Sequence, residues 1–267
     1  MHPMLTIATR AARAAGQTIM RAYTELDNVE IDSKGLNDFV TSVDKEAEST
    51  ITYQIRKSYP DHTIVGEENG ENRGTNKDYV WIVDPLDGTN NFVRGIPHFA
   101  VSIAVQYKGK IEVAVVYDPV REELFSAVRG KGAKVNDFRL RVTNVKTLDG
   151  TIIGTGFPFK ARQHTESYLN ILGEVFPVCA DIRRTGSAAL DLAYVAAGRF
   201  DGFFEISLKP WDIAAGDLIC REAGGTVADF TGNHNYMTSG NIVAGSPKVT
   251  SELVKIMRPL LNEGLKR

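Results

Sequence analysis

The run Trp81-Ile82-Val83-Asp84-Pro85-Leu86-Asp87-Gly88-Thr89-Asn90 carries the most telling chemistry of the chain. An apolar stretch of strand character ends at one carboxylate, a proline-stiffened turn follows, and a second carboxylate precedes a Gly-Thr step that opens a helix. Proline fixes φ and glycine permits a close backbone approach, so both acids are held in place. Two fixed carboxylates suit a hard divalent cation such as Mg²⁺, which takes oxygen ligands and keeps part of its water shell. The amides of Gly88, Thr89 and Asn90 fall at the expected helix start, where free N–H groups and the macrodipole favour a phosphate. A metal seat beside a phosphate seat implies metal-assisted phosphoryl chemistry.

Other acids could join them. Glu67-Glu68 directly follow the strand-like Thr63-Ile64-Val65-Gly66, although taken alone such a pair is more often a solvated turn. In Lys209-Pro210-Trp211-Asp212, Asp212 reads as a helix N-cap, the commoner job for such a residue, yet a carboxylate beside a Trp-Pro turn can also face a cation. Asp44, in Thr41-Ser42-Val43-Asp44, has capping-box spacing, and local signals divide evenly between helix support and catalysis. Thr89 also reads as a plain helix-start hydroxyl. Singly, each signal is weak apart from the Asp84–Thr89 turn.

The elements that must position these residues follow from periodicity. A first amphipathic helix carries Leu5, Ala8, Ala12, Ala15 and Ile19 on one face. A mobile loop over Asp32–Asp38 comes next, then a helix from near Thr41 with Ile51 and Ile55 inward, ending before Pro60. Strands are expected at Thr63–Gly66 and Tyr79–Asp84, a hairpin at Phe99–Tyr107 and Ile111–Tyr117, and a strand at Leu124–Val128. In the second half, strands at 151–155, 202–205, 226–230 and 242–244 alternate with helices at 165–176, 187–197, 212–223 and from Thr250 onward. This reads as α+β, with layered helices and mostly antiparallel sheets. One domain over 1–267 is expected, with a soft subdivision near 145–150 left open.

Bulk properties narrow the class. The formal net charge of -2 over 267 residues gives no whole-chain drive toward nucleic acid. The two cysteines, Cys179 and Cys220, form no framework, which fits a reducing cytoplasm. No apolar run approaches the ~18 residues of a membrane span. The acid-poor first 24 residues carry Arg10, Arg13 and Arg21, as transit peptides do, but they lack the serines and read better as a helix.

Taken in order, Gly66-Glu67-Glu68, Trp81–Thr89 and Trp211-Asp212-Ile213-Ala214-Ala215-Gly216 resemble the signature of the inositol monophosphatase family, over essentially the whole chain. The resemblance implies a layered α-β-α-β-α sandwich of the inositol monophosphatase/fructose-1,6-bisphosphatase type, a homodimer, and a Mg²⁺-dependent, lithium-sensitive phosphatase acting on myo-inositol 1-phosphate and related small monoesters. It implies that Glu67, Asp84 and the Leu86 carbonyl hold a first Mg²⁺, that Asp84, Asp87 and Asp212 hold a second, and that Glu67 helps with a third. Asp44 and Thr89 would orient the attacking water, with Glu67 a further catalytic residue. Gly88 and Thr89 amides would bind phosphate, while Glu205, Arg183 and the turn Gly186-Ser187-Ala188 would face the inositol ring. Glu67, Leu86, Asp87 and Asp212 would also border the substrate, and Lys34 matches a basic residue of the family's mobile loop. The stretches Thr155–Lys160 and Arg183–Leu192 resemble those of bacterial members implicated in ribosomal RNA antitermination, which implies Nus factors and RNA polymerase as further partners. Strong direct RNA binding is not expected, since no basic stripe with interleaved aromatics is present. One departure is Asn90, where family members often have a second threonine.

Phosphate monoester hydrolysis calls for accelerations up to roughly 10²¹-fold, beyond any single side chain. The expectation is therefore direct attack by a metal-activated water, with no phosphoenzyme. A haloacid-dehalogenase-like Asp-x-Asp-Gly-Thr motif is disfavoured by the extra residue between Asp84 and Asp87 and by Pro85 after the would-be nucleophile. Cysteine-phosphatase chemistry needs an arginine six residues after the cysteine, where this chain has Thr185 and Thr226. No GxxxxGK[ST] loop exists. Sister enzymes acting on 3′-phosphoadenosine phosphates, fructose 1,6-bisphosphate or NADP share the metal core, and a mainly non-catalytic binding role also stays open. Glu205 favours a polyol, because a carboxylate can accept two neighbouring hydroxyls.

Overall fold

The computed structural model describes residues 2–26, 29, 31–35 and 38–266, apart from the side chains of residues 31–40. Helix α1 (Pro3–Tyr23) starts on a proline, whose missing N–H would have no helical partner there. Its buried stripe of Ala8, Ala11, Ala12, Ala15 and Gly16, ending at Ile19, lets it lie close to its neighbours, with Leu5 half-buried at the margin. Strands β1 (Ile31–Gly35) and β2 (Asp38–Thr41) pair antiparallel where the sequence reads as a loop. The run Asp32-Ser33-Lys34-Gly35 has no apolar alternation to announce a strand; Leu36, Asn37 and the Lys34 side chain lie outside the described residues.

Helix α2 (Ser42–Ser58) begins with a complete capping box: Thr41 Oγ1 accepts the amides of Val43 and Asp44, and Asp44 Oδ2 accepts the Thr41 amide at 2.8 Å. The first sheet contains β3 (His62–Gly66), β4 (Gly70–Asn72), β5 (Asn76–Asp87), β6 (Ala100–Tyr107), β7 (Lys110–Asp118), β8 (Glu123–Val128), β9 (Gly132–Val135) and β10 (Phe138–Arg139). Its order is β10-β9-β8-β7-β6-β5-β3-β4, and a short helix α3 (Thr89–Val93) joins β5 to β6. All neighbours pair antiparallel except β3 and β5.

The second sheet is built from β11 (Ile152–Thr155), β12 (Asp181–Arg183), β13 (Gly202–Glu205), β14 (Thr226–Ala228) and β15 (Ile242–Gly245), in the order β12-β11-β13-β15-β14. It is mixed, not mostly antiparallel, since β11 runs parallel to both β12 and β13. Five helices accompany it: α4 (Thr165–Val175), α5 (Ala188–Ala196), α6 (Pro210–Glu222), α7 (Tyr236–Ser239) and α8 (Pro247–Met257). Helix α8 starts ahead of the expected Thr250 because Ser246 caps it, its Oγ accepting the Val249 amide at 3.4 Å. Strands β4, β9, β10 and β12 have only two to four residues, too few to show a period.

The layers follow from strand parity. Along β6, Val101, Ile103 and Val105 face one core and Ala100 and Ala104 the other. The first core packs α1 and α2 on the first sheet; the alanine face receives α5 and α6, which the second sheet covers from beyond. Helices α4 and α8 close the outer face of the second sheet. The result is the α-β-α-β-α arrangement of the family resemblance.

Candidate active site

Asp84 and Asp87 reach the same cleft because β5 is bulged between them. Side chains alternate along a strand, so residues three apart should face opposite ways. Asp84 pairs opposite Ser102 and Asp87 opposite Ala100, three steps on β5 against two on β6. The extra residue brings both acids to one side, and Pro85, which has no N–H to contribute, is tolerated there.

Each carboxylate is then oriented by a different element. Asp84 is 1% exposed, and its Oδ1 accepts the Leu86 amide at 3.0 Å. Asp87 Oδ2 accepts the Ser187 hydroxyl at 2.6 Å and the Ala189 amide at 2.8 Å, at the start of α5. Asp212 is the third residue of α6, which starts at Pro210, so it is not the N-cap the sequence suggested. There it accepts the Lys209 amide at 2.7 Å. Oxygens of Asp84, Asp87 and Asp212 all lie within 4.8 Å of one another.

Such crowding resists ionisation. Burial, then the charges of Glu67, Asp87 and Asp212, hold the Asp84 carboxyl well above its ordinary range. Burial and then Asp87 push Asp212 up to about 8. Asp87 is raised by burial, while the bonds from Ser187 and Ala189 and the cations Lys160 and Arg184 draw it back. A donor set made only of carboxylate and carbonyl oxygens fits a hard cation such as Mg²⁺, whose charge would offset this repulsion.

Glu67 lines the same cleft; its amide donates to Val83 O at 3.2 Å, continuing the β3–β5 pairing by a residue. Beside the acids, the single Thr89 hydroxyl proton has two acceptors, Asp44 Oδ1 and Leu86 O, both at 3.0 Å. Either choice leaves Thr89 Oγ1 lone pairs for another donor. Asp44 is 2% exposed. Burial raises its pKa, and the hydrogen bonds from Thr41 and Thr89 lower it. Gly88 takes φ +96°, and a Cβ there would stand 3.1 Å from His98 O and 3.3 Å from Gly186 O. Glycine thus lets the start of α3 meet the Gly186 turn, which Asn91 ties down by donating to His98 O at 2.7 Å and Thr185 O at 2.9 Å.

Leu86, Gly88, Thr89, Asn90, Gly186, Ala188 and Glu205 also line the cleft. Glu205, at the end of β13, is held well above its ordinary pKa by burial and then by Asp191, Asp212 and Asp87. Ser187 acts from behind, through Asp87. Arg183, expected at the inositol ring, is exposed and paired with Asp181, and is not among the residues that line this cleft. Its neighbour Arg184 lines the cleft instead, with its guanidinium 5.8 Å from the centre of the Phe157 ring. Lys160, Lys209 and the buried Asp191, which accepts the Thr185 hydroxyl, were also not singled out by the sequence.

This fold and site define a layered α+β protein with an acid cluster suited to a divalent cation beside a hydroxyl held by a buried carboxylate. The chain belongs to the inositol monophosphatase family, whose model matches residues 1–260. It is 63% identical to the Nus factor SuhB of Salmonella typhimurium over 267 residues, 100% of each chain. Among solved structures, the extragenic suppressor protein suhB of Bartonella henselae superposes with a TM-score of 0.93 at 43% identity, over 96% of this chain and 98% of that one. The inositol monophosphatase of Anabaena (Nostoc) sp. PCC 7120 gives 0.86 at 33% identity, over 96% and 95%.

Proposed function

We propose that the chain is a Mg²⁺-dependent phosphatase that hydrolyses myo-inositol 1-phosphate and related small phosphate monoesters. The observation that carries this reading is the meeting in one cleft of the Asp84, Asp87 and Asp212 oxygens with Thr89, whose hydroxyl is backed by Asp44. Two Mg²⁺ ions, with a third assisted by Glu67, would supply Lewis-acid activation of water and neutralise the departing alkoxide. Glu67, Asp84 and the Leu86 carbonyl form one ligand set, and Asp84, Asp87 and Asp212 the other. Thr89 Oγ1, donating its own hydrogen to Asp44, would accept a hydrogen bond from the attacking water and fix its direction, so that the proton the water loses passes through Thr89 to the Asp44 carboxylate. The Gly88 and Thr89 amides, at the start of α3, hold phosphate oxygens. Glu205 and the Gly186–Ala188 turn border the polyol. Attack by water needs no phosphoenzyme.

The same reading includes inhibition by lithium, a homodimer and a cytoplasmic setting. Among the described residues no helix is long and apolar enough to cross a membrane. The name of the Salmonella relative, a Nus factor, supports a second role among Nus factors, compatible with catalysis, and RNA polymerase is the further partner this reading includes. The test is phosphate release from inositol 1-phosphate with and without Mg²⁺ and lithium, beside 3′-phosphoadenosine phosphate, fructose 1,6-bisphosphate and NADP. Mg²⁺-dependent release favouring the inositol ester supports the reading. Preference for a sister substrate moves the assignment within the fold, and no release from any substrate turns it toward a binding protein.

A further inference from the structure

Helix α2 carries a second buried acid one turn beyond Asp44: Glu48, also 2% exposed. Residues four apart share a helix face, so both acids lie on one side of α2, Asp44 meeting Thr89 and Glu48 the turn after β3. Glu48 reaches the turn that follows β3. Its Oε2 accepts the Glu68 amide at 2.8 Å, and its Oε1 accepts the Asn69 amide at 3.0 Å and the Asn69 side-chain amide at 2.7 Å. Both oxygens are thereby engaged on the residues immediately after Glu67. The approach is so close that a Cβ on Gly66 would fall 2.4 Å from the Glu48 carboxyl, so any larger residue before Glu67 would displace that carboxyl.

We infer that Glu48 is a positioning residue for the metal site: it clamps the Glu67 turn, as Asp44 orients Thr89, so one helix face sets both a ligand and the water-directing hydroxyl. This rests on the proposed role of Glu67 as a Mg²⁺ ligand. A carboxylate is needed because three donors converge on two oxygens. Glutamine would turn an NH₂ toward one of those donors and leave a buried donor unpaired. Glu48 touches no substrate, and its effect passes through the Glu67 backbone.

The test compares the full-length wild type with Glu48→Gln by the Mg²⁺ concentration at the midpoint of its thermal-stability shift, by amide exchange at Glu68 and Asn69, and by phosphate release at saturating Mg²⁺. The expected result is a Mg²⁺ midpoint raised at least about tenfold, the ordinary cost of losing an outer-shell partner. Faster exchange at the two amides and a kcat within a few-fold of wild type at saturating Mg²⁺ should accompany it. Gly66→Ala, which disturbs the same contact from the other side, should raise the midpoint similarly, and the double variant should add little. A Glu48→Gln protein with a lower melting temperature but an unchanged Mg²⁺ midpoint overturns the assignment, because a purely structural acid gives that outcome. A wild type that shows no Mg²⁺ shift overturns the metal reading itself, and the clamp's role with it.

Discussion

At the residue scale, the proposed chemistry turns on the Thr89 hydroxyl, which has one proton and is held between Asp44 Oδ1 and Leu86 O. Thr89→Val keeps the shape and removes the acceptor. It should lower kcat about 10²–10⁴-fold, the usual worth of a general base, here Asp44 reached through Thr89, while leaving the Mg²⁺-induced stability shift intact. Loss of both together would assign Thr89 to metal binding. A pH dependence follows from the crowded carboxyls. Asp84, Asp87 and Asp212 have folded pKa values above the ordinary carboxylate value of roughly 4, Asp212 reaching about 8. Over that window the folded chain binds more protons than the unfolded one, so these groups make the metal-free protein lose stability as pH rises. Mg²⁺ binds the ionised forms, so its stabilising effect should grow between pH 5 and pH 8. Thermal melts in chelator and in Mg²⁺ check this, and equal Mg²⁺ gains at both pH values would contradict it. Asp84 and Asp87 were legible in sequence because Pro85 and Gly88 mark a fixed turn, whereas Asp212 read alone as a helix N-cap and joined them only through the family resemblance. The Thr89–Asp44 contact joins residues 45 positions apart, and local spacing offered only the capping box.

At the element scale, the site depends on three local devices: the β5 bulge, the α5 start and the third position of α6. Ser187 serves two of its neighbours, accepting the Leu190 amide as the α5 N-cap and donating to Asp87. Ser187→Ala should therefore cost about 1 kcal/mol of stability from the cap alone and raise the Mg²⁺ midpoint as well. A chemical-denaturation midpoint and a Mg²⁺ titration separate the two effects; a stability loss with unchanged Mg²⁺ response would remove Ser187 from the site. The long elements were readable, since α1, α2, β6 and β7 carry clean apolar periods. The bulge was not, because its signature is a pairing register. Nor was the place of Arg184 on the cleft, since it lies one residue past the three-residue strand β12, which is too short to show a period. The hairpin of β1 and β2 escaped for a further reason, its polar residues carrying no alternation.

At the scale of the whole molecule, the acid cluster is assembled across the chain. Asp84 and Asp87 come from the first sheet and Asp212 from a helix that packs between the sheets, with Ser102 on β6 donating to Trp211 O at 3.1 Å. A ligand that ties these elements together binds the folded state only. Mg²⁺ at a hundred times its dissociation constant should then add about 2.7 kcal/mol of stability, read as a rise in melting temperature with concentration. The most direct test of the central claim is phosphate release from inositol 1-phosphate in Mg²⁺ by wild type and Asp87→Asn. That substitution keeps the side chain's shape and removes one charge from the cluster. Mg²⁺-dependent release that falls by more than the roughly 10–100-fold cost of an outer-shell loss is the predicted result. An Asp87→Asn variant that releases phosphate at the wild-type rate would contradict it.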